Sequence, residues 1–195
     1  IKDNLFSFPN QLAETSFGHG LDMFLEQEMR NADKFVFPMN LSNASEAPGD
    51  VLSRWEVDGR KDRLFALDGK LEHESFLGVD EIWLGFMHEA VKRGLSPDAY
   101  VFELGALIDE LIIKGITTDK IVVLIPTFSA EMNMKDYIAP IKALAAEKGV
   151  MVGPDLYEET RREFGKYVSF DREPLLTPEG MKRVAEILAE WSLEN

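Results

Sequence analysis

The chain has no cysteine among its 195 residues. Disulfide bonds, thiolate nucleophiles and zinc sites built on cysteine are therefore excluded. Long apolar runs are also missing, since none reaches the roughly 18 residues that span a bilayer, and no membrane partner is expected. No signal peptide is visible after Ile1, and the localisation stays undetermined.

Basic residues are scarce, with 21 Lys and Arg against 35 Asp and Glu, for a formal net charge of −14. Such a surface repels nucleic acid, so no nucleic-acid partner is predicted. The charge fits a surface that serves solubility, and a cationic partner or divalent ions are the sharper alternative. Hydrophobic residues make up 45% of the chain, which is enough for a sizeable core.

Histidine is rare as well, with only His19, His73 and His88, all in the first half. His88 falls in a stretch with helical periodicity, where a half-buried or solvent-facing side chain is expected. Neither EF-hand spacing, a His-Glu-x-x-His pair nor a glycine-rich phosphate loop appears. No metal and no cofactor are predicted, and the acidic side chains near one strand-end region are interpreted as a solvated face: Asp155, Glu158, Glu159, Asp171 and Glu173.

Apolar periodicity predicts strands that alternate with helices, which is typical of parallel βαβ units. We predict an α/β fold, a three-layer α/β/α sandwich with about five mostly parallel strands, in one domain over residues 1–195. Glu56–Gly78 is interpreted as a loop insertion with a short strand at Arg63–Leu67. The predicted strands are Asn4–Phe8, Lys34–Met39, Asp98–Leu104, Lys120–Ile125 and Val150–Val152. The predicted helices are Phe17–Arg30, a short one from Asp50, Asp80–Arg93, Gly105 to Lys114, Lys135–Lys148, Pro154–Phe164 and Pro178–Trp191.

The last strand-to-helix turn carries the clearest local signal. Thr177 is a good N-cap, and Pro178 at the first helical position loses nothing through its missing N–H. Val184, Leu188 and Trp191 then share one apolar face at helical spacing.

This stretch, Leu176-Thr177-Pro178-Glu179-Gly180, resembles the last block of the SGNH (GDSL-type) hydrolase family. In that family an Asp-x-x-His pair precedes a Leu-Thr-Pro-Glu-Gly helix start. The resemblance covers most of the chain and implies a flavodoxin-like sandwich with an ester-hydrolase site at the carboxyl ends of the strands. It also implies four sequence blocks at those strand ends.

The first block, Gly-Asp-Ser-Leu with the nucleophilic serine, is matched by Pro9-Asn10-Gln11-Leu12. Gln11 stands in the place of the serine, and an amide cannot be activated as a nucleophile. The second block supplies a glycine whose backbone N–H donates to the oxyanion, and Asn43 is its best match. A backbone N–H remains there, but the close approach that glycine permits is lost.

The third block is Gly-x-Asn-Asp, which we match to Gly105-Ala106-Leu107-Ile108, so that Leu107 replaces the asparagine donor. In the fourth block Leu175 takes the place of the histidine. Arg172 takes the place of the aspartate in strict register, and Asp171 fits only with a shift of one residue. No catalytic residue is predicted, and these positions are expected to line a cleft.

The sequence therefore predicts a non-catalytic binding or scaffolding module with a glycan or small ester as ligand. An esterase with a displaced nucleophile, Ser16, Ser42 or Ser45 with His19, is the alternative. A flavodoxin-like domain of unrelated function and a sequence engineered onto a hydrolase backbone also stay open. The oligomeric state is not predicted.

Overall fold

The computed structural model describes residues 3–7, 21–34, 39–40, 47–54, 79–168 and 176–195. In this part of the chain no helix is long and apolar enough to cross a membrane. The strands are β1 (Asp3–Ser7), β2 (Met39–Asn40), β3 (Val79–Leu84), β4 (Ile121–Val123) and β5 (Met151–Val152). The helices are α1 (Leu21–Asn31), α2 (Pro48–Arg54), α3 (Met87–Lys92), α4 (Pro97–Ile113), α5 (Lys135–Lys148), α6 (Leu156–Arg162), α7 (Phe164–Tyr167) and α8 (Pro178–Glu194). A 3-10 turn, Thr118–Lys120, leads into β4.

The strands form a five-stranded sheet in the order β2-β1-β3-β4-β5. Every pairing between neighbours is parallel. Ser7 at the end of β1 lies opposite Leu84 at the end of β3, and Leu84 lies opposite Val123 at the end of β4. The three central strands therefore finish at the same level of one sheet edge.

The side chains of β3 and β4 alternate between two apolar layers, as the period of a strand requires. Ile82 and Val123 pack with α3, α4 and α5 on one face. Trp83 and Val122 pack with α1 and α8 on the other. Both faces of the sheet are covered by helices, which confirms the predicted α/β/α sandwich and explains why β4 is an unbroken apolar run.

The helix predicted over Asp80–Arg93 is wrong in its first half. Val79–Leu84 is a central strand, and the helix begins only at Met87. Ile82, Trp83 and Phe86 fit a helical face when read alone. In the fold, Ile82 and Trp83 point to opposite sides of the sheet, and both are buried.

The strand predicted over Asp98–Leu104 is also wrong, because those residues belong to α4. Aromatic and β-branched residues suggested a strand, but the buried positions follow helical spacing. Ser96 caps the helix, its hydroxyl accepting a hydrogen bond from the backbone N–H of Ala99 at 3.2 Å, and Pro97 follows at the first position. The buried residues of α4 are Tyr100, Leu104, Gly105, Leu107, Ile108 and Leu111.

Several predicted elements are confirmed. Helix α5 has the predicted bounds and ends at Gly149, whose φ of 67° is the left-handed conformation that glycine favours. The predictions at β1, β5 and α8 agree to within a few residues, and α1 and β2 each end one residue beyond their predicted stretches. The proposed insertion Glu56–Gly78, with its strand at Arg63–Leu67, lies outside the described residues.

A buried carboxylate links the sheet to the far end of α8. Glu81 of β3 is 6% exposed and accepts hydrogen bonds from the Trp83 indole N–H at 2.7 Å and from the Ser192 hydroxyl at 3.1 Å. Helix α8 thus runs from the carboxyl edge of the sheet to this contact near the amino end of β3.

Candidate functional site

The carboxyl edge of the sheet is where a site is expected in an open parallel α/β fold. With the order β2-β1-β3-β4-β5, the direction of chain progression reverses between β1 and β3. Loops that follow two strands at such a switch point diverge and leave a crevice. The ends of β1, at Ser7, and of β3, at Leu84, flank this point.

The segment after β3 is Gly85-Phe86-Met87-His88, and it corrects the match made from the sequence. The SGNH motif Gly-x-Asn-Asp follows a strand, whereas Gly105 and Leu107 lie inside helix α4. Leu107 is 1% exposed and packs in the core with the helices of one sheet face. Gly85 stands directly after the strand, so the motif's glycine has a match there.

In this corrected register Met87 occupies the place of the motif's asparagine. Its side chain is 3% exposed and packs into the core layer with Phe86 and Ala90. A thioether is at best a weak acceptor and cannot donate a hydrogen bond. Position 87 therefore makes a core contact and carries no side-chain donor.

Tyr100 of helix α4 contacts the segment Gly85–His88. The backbone of Phe86 hydrogen-bonds the Tyr100 hydroxyl, while burial raises the pKa of that hydroxyl above its ordinary value. The Tyr100 ring meets that of Tyr137 edge-on at 6.0 Å, and the Tyr137 hydroxyl donates to the carbonyl of Leu95. The loop after β3 is therefore fixed by buried aromatic side chains.

His88 follows in the first turn of α3 and is 8% exposed. Burial lowers the pKa of its imidazole from 6.5 to about 4, because the charged form loses its hydration. The ring is therefore neutral at pH 7. The side chain is more deeply buried than helical periodicity predicted.

The residues on either side of 169–175, which lie outside the described part of the chain, are held together by hydrogen bonds before α8. Val168 and Leu176 form an antiparallel bridge, and the backbone N–H of Thr177 donates to the carbonyl of Tyr167 at 2.9 Å. The Thr177 hydroxyl accepts from the N–H of Gly180 at 3.0 Å and donates to the carbonyl of Lys166 at 2.7 Å. The cap predicted at Thr177 is confirmed.

Gly180 is required by packing. A Cβ at this position would lie 2.1 Å from the carbonyl oxygen of Tyr167, closer than any side-chain atom can approach. The first turn of α8 therefore rests directly on the backbone of α7. Gly180, which this chain shares with the SGNH helix start, makes this contact possible.

Helix α2 and the residue before it, Ala47, are held by hydrogen bonds and an ion pair. The backbone N–H of Gly49 donates to the Glu103 carboxylate at 3.0 Å, and the N–H of Ala47 donates to Asp50 at 2.9 Å. Asp50 also pairs with Arg93. These contacts anchor the described chain from Ala47 onward to α3 and α4.

An aromatic cluster lies beyond β4 and β5 and consists of Phe128, Tyr157 and Phe164. Phe128 contacts Tyr157 at 5.5 Å and Phe164 at 5.7 Å, both edge-on. The backbone N–H of Phe128 donates to the Thr160 hydroxyl at 2.8 Å, which fixes the loop after β4. Phe164 is 39% exposed, whereas Tyr157 is buried.

Most positions predicted from the SGNH blocks lie outside the described residues: Asn10, Gln11, Asn43, Asp171, Arg172 and Leu175. Of the predicted site, the structure describes Gly105 and Leu107, and it places both in a buried helix and not at the edge. Within the described ranges no group of three or more His, Asp or Glu side chains is placed to hold a metal.

No family model and no curated protein matches the chain. Solved structures do match. A lipase/acylhydrolase from Enterococcus faecalis superposes with a TM-score of 0.74 at 12% identity, covering 97% of this chain and 94% of that one. A GDSL-like lipase from Parabacteroides merdae gives 0.70 at 15% identity, covering 100% and 96%.

The esterase AlinE4, described as a member of the SGNH-hydrolase family, gives a TM-score of 0.63 at 15% identity and covers 99% of this chain and 95% of its own. The chain has the SGNH-hydrolase fold. At these identities the likeness concerns the fold alone, and chemistry must be argued from the residues at the edge of the sheet.

The segment 85–88 is the part of the site that sequence reasoning missed. The missed signal was Ser96-Pro97, which has the same form as Thr177-Pro178: an N-cap followed by proline at the first helical position. Had the Ser96 cap started a helix, the strand before the third block could only have been the apolar stretch that ends at Gly85.

Proposed function

We propose that residues 1–195 form a single SGNH-hydrolase-like domain that binds an acyl ester or glycan at the carboxyl edge of its sheet without hydrolysing it. The observation that carries the proposal is the segment Gly85–His88. It keeps the glycine that ends the strand and places the buried, non-donating Met87 where the SGNH motif has its asparagine.

The sequence supports the same conclusion at the other blocks. Gln11 replaces the serine, and Leu175 replaces the histidine. A serine hydrolase needs a nucleophile, a base that accepts its proton and a donor for the oxyanion. The nucleophile and the base are exchanged for residues that cannot perform the step, and only a backbone N–H remains at Asn43 as an oxyanion donor. This pattern favours binding over turnover.

The remaining features of the edge suit a small ligand with an apolar part and a few oxygen atoms. Phe128, half-buried and packed edge-on against Tyr157 and Phe164, contributes an apolar side chain. Predominantly apolar walls with a few convergent polar groups are typical of small-molecule sites. The formal net charge of −14 favours an uncharged ligand over an anionic one.

Hydrolysis of p-nitrophenyl acetate and p-nitrophenyl butyrate tests this function. We expect the rate to equal that of heat-denatured protein at the same concentration. Turnover that a Gln11→Ala variant abolishes would contradict the proposal, since Gln11 would then belong to the chemistry.

The same assay addresses the displaced-serine alternative. Turnover that survives Gln11→Ala but is lost in His19→Ala would indicate an esterase that uses His19 with Ser16, Ser42 or Ser45. Measuring both variants beside the wild type separates the two kinds of activity.

A further inference from the structure

His88 is a buried polar side chain without a role in the packing described so far. It is 8% exposed, and neither ring nitrogen has a hydrogen-bond partner within the described part of the chain. A neutral imidazole carries one N–H donor and one acceptor nitrogen. Because buried polar groups are nearly always paired in native structures, a group left unpaired calls for an absent partner such as a ligand or an ordered water.

The position of His88 in the fold favours a ligand over an ordered water as the partner of its ring. It lies four residues beyond Leu84, the last residue of β3, and Leu84 is opposite Ser7 at the end of β1. These two strands flank the point where the strand order reverses. Sites in open parallel sheets lie at this point, outside the carboxyl ends of the strands.

The adjacent residue strengthens the assignment. Met87 lies where the SGNH motif has a side-chain donor, and its thioether cannot donate. The next residue along the chain is the imidazole, which has an N–H to give. The segment fixed by Tyr100 thus still contains one unused side-chain donor, displaced by a single position.

We propose that His88 is a ligand-binding residue whose imidazole N–H donates a hydrogen bond to an uncharged carbonyl oxygen, of an ester or an acetamido group, bound between the ends of β1 and β3. This assignment rests on the proposed binding function and specifies the carbonyl oxygen as the group of the ligand that the site would bind. His88 is a binding residue here and takes no part in a bond-breaking step.

The charge state of the ligand follows from the surroundings of the ring. Its neighbours on the same segment, Phe86, Met87 and Ala90, are buried and apolar. Burial holds the imidazole neutral at pH 7, with its pKa lowered to about 4. A carboxylate bound there would bring an uncompensated charge into apolar surroundings, which is costly, whereas an ester or amide carbonyl is uncharged and can accept the N–H.

Imidazole-detected NMR of the full chain tests the assignment, because the sequence contains only three histidines. The His88 nitrogens are assigned by comparison with His88→Gln at pH 7. Methyl pentanoate and N-acetylglucosamine are then titrated as carbonyl probes. Butyl methyl ether lacks the carbonyl and acetate is charged, so both serve as controls.

We expect a saturable shift of a His88 ring nitrogen with at least one carbonyl probe and none with the ether or acetate. In His88→Leu the affinity for that probe should fall roughly tenfold, and His88→Gln, which keeps an N–H, should retain part of it. Backbone amide spectra of each variant confirm that it is folded.

An unchanged His88 signal up to the solubility limit of both carbonyl probes would overturn the assignment. So would an equal shift with the ether, or unchanged affinity in folded His88→Leu. These outcomes leave the proposed non-catalytic function standing. Conversely, ester turnover would overturn that function, while the His88 signal would still decide whether this ring contacts a carbonyl.

Discussion

The start of α8 keeps the SGNH sequence pattern, whereas the segment after β3 keeps only its glycine. The first follows α7 and the isolated bridge between Val168 and Leu176, and the second follows the end of a central strand. The α8 start keeps Leu176-Thr177-Pro178-Glu179-Gly180. The β3 segment keeps Gly85 and has Met87 and His88 at the following positions of the motif. In the α8 start, Thr177 and Gly180 are required by contacts within the protein.

The difference teaches which part of a motif is structural. Thr177 caps a helix and Gly180 avoids a backbone oxygen, so changing either costs stability whether or not a substrate exists. An asparagine at position 87 would serve only a ligand, and the fold gains more from the buried methionine there. The following predictions test this division, from the largest expected effect to the smallest.

Gly180→Ala should lower the free energy of unfolding by about 3 kcal/mol or more, because its Cβ would meet the Tyr167 carbonyl oxygen and force α8 away from α7. Gly165→Ala is the matched control, since a Cβ there meets no atom within 4 Å. We expect that change to leave stability within about 1 kcal/mol of the wild type. Equal urea midpoints for the two variants would break the comparison.

Met87→Asn restores the letter of the SGNH motif and should still destabilise the fold by about 3 kcal/mol, through lost apolar burial and an unpaired amide in the core. Met87→Leu, which keeps volume and polarity, should cost less than about 1.5 kcal/mol. Urea unfolding of both variants measures the difference. A stable Met87→Asn protein would mean that this segment is built to present a polar group.

His88 should make stability depend on pH in mildly acidic solution. The folded pKa of about 4 lies below the unfolded value of 6.5, so the unfolded chain binds more protons as the pH falls below 6.5. This site alone should remove about 2 kcal/mol of stability between pH 7 and pH 5. The measurable quantity is the wild-type pH dependence minus that of His88→Leu.

If His88→Leu shows the same slope as the wild type, the ring is not held neutral and the account of its burial is wrong. Taking the difference between the two proteins cancels the carboxylates, which titrate in both over the lower part of this range.

Thr177→Ala should cost about 1–2 kcal/mol, and Ser96→Ala about 1 kcal/mol or less. Both residues cap a helix with proline at its first position, but the Thr177 hydroxyl also donates to the Lys166 carbonyl. Thermal unfolding of the two variants gives the comparison. A larger loss at Ser96 would show that the α8 start is less constrained than its contacts indicate.

The sequence predicted the layered α/β/α fold because most of its signals are local. Gly149 ends a helix in the left-handed conformation, Thr177-Pro178 starts one, and the run Ile121–Val123 indicates a strand covered on both faces. It failed over residues 80–104, where buried strand and buried helix share a composition of aromatic and branched side chains. Length and caps must decide such cases, and the Ser96 cap was the missed clue.

That single error moved the third block by twenty residues, from Gly85 to Gly105. Burial of His88 could not be predicted either, because it depends on how α3 packs beneath the edge of the sheet. Site prediction from sequence therefore depended on one strand assignment, whereas the fold class tolerated the mistake.

Fluorophosphonate labelling, read by intact-protein mass, tests most directly the claim that the fold persists without its hydrolase chemistry. A known serine hydrolase in a parallel tube controls for probe activity. The account predicts the unmodified mass of the 195-residue chain after an overnight reaction. A stoichiometric adduct on one serine, lost in His19→Ala, would contradict it and would identify the nucleophile of an active esterase.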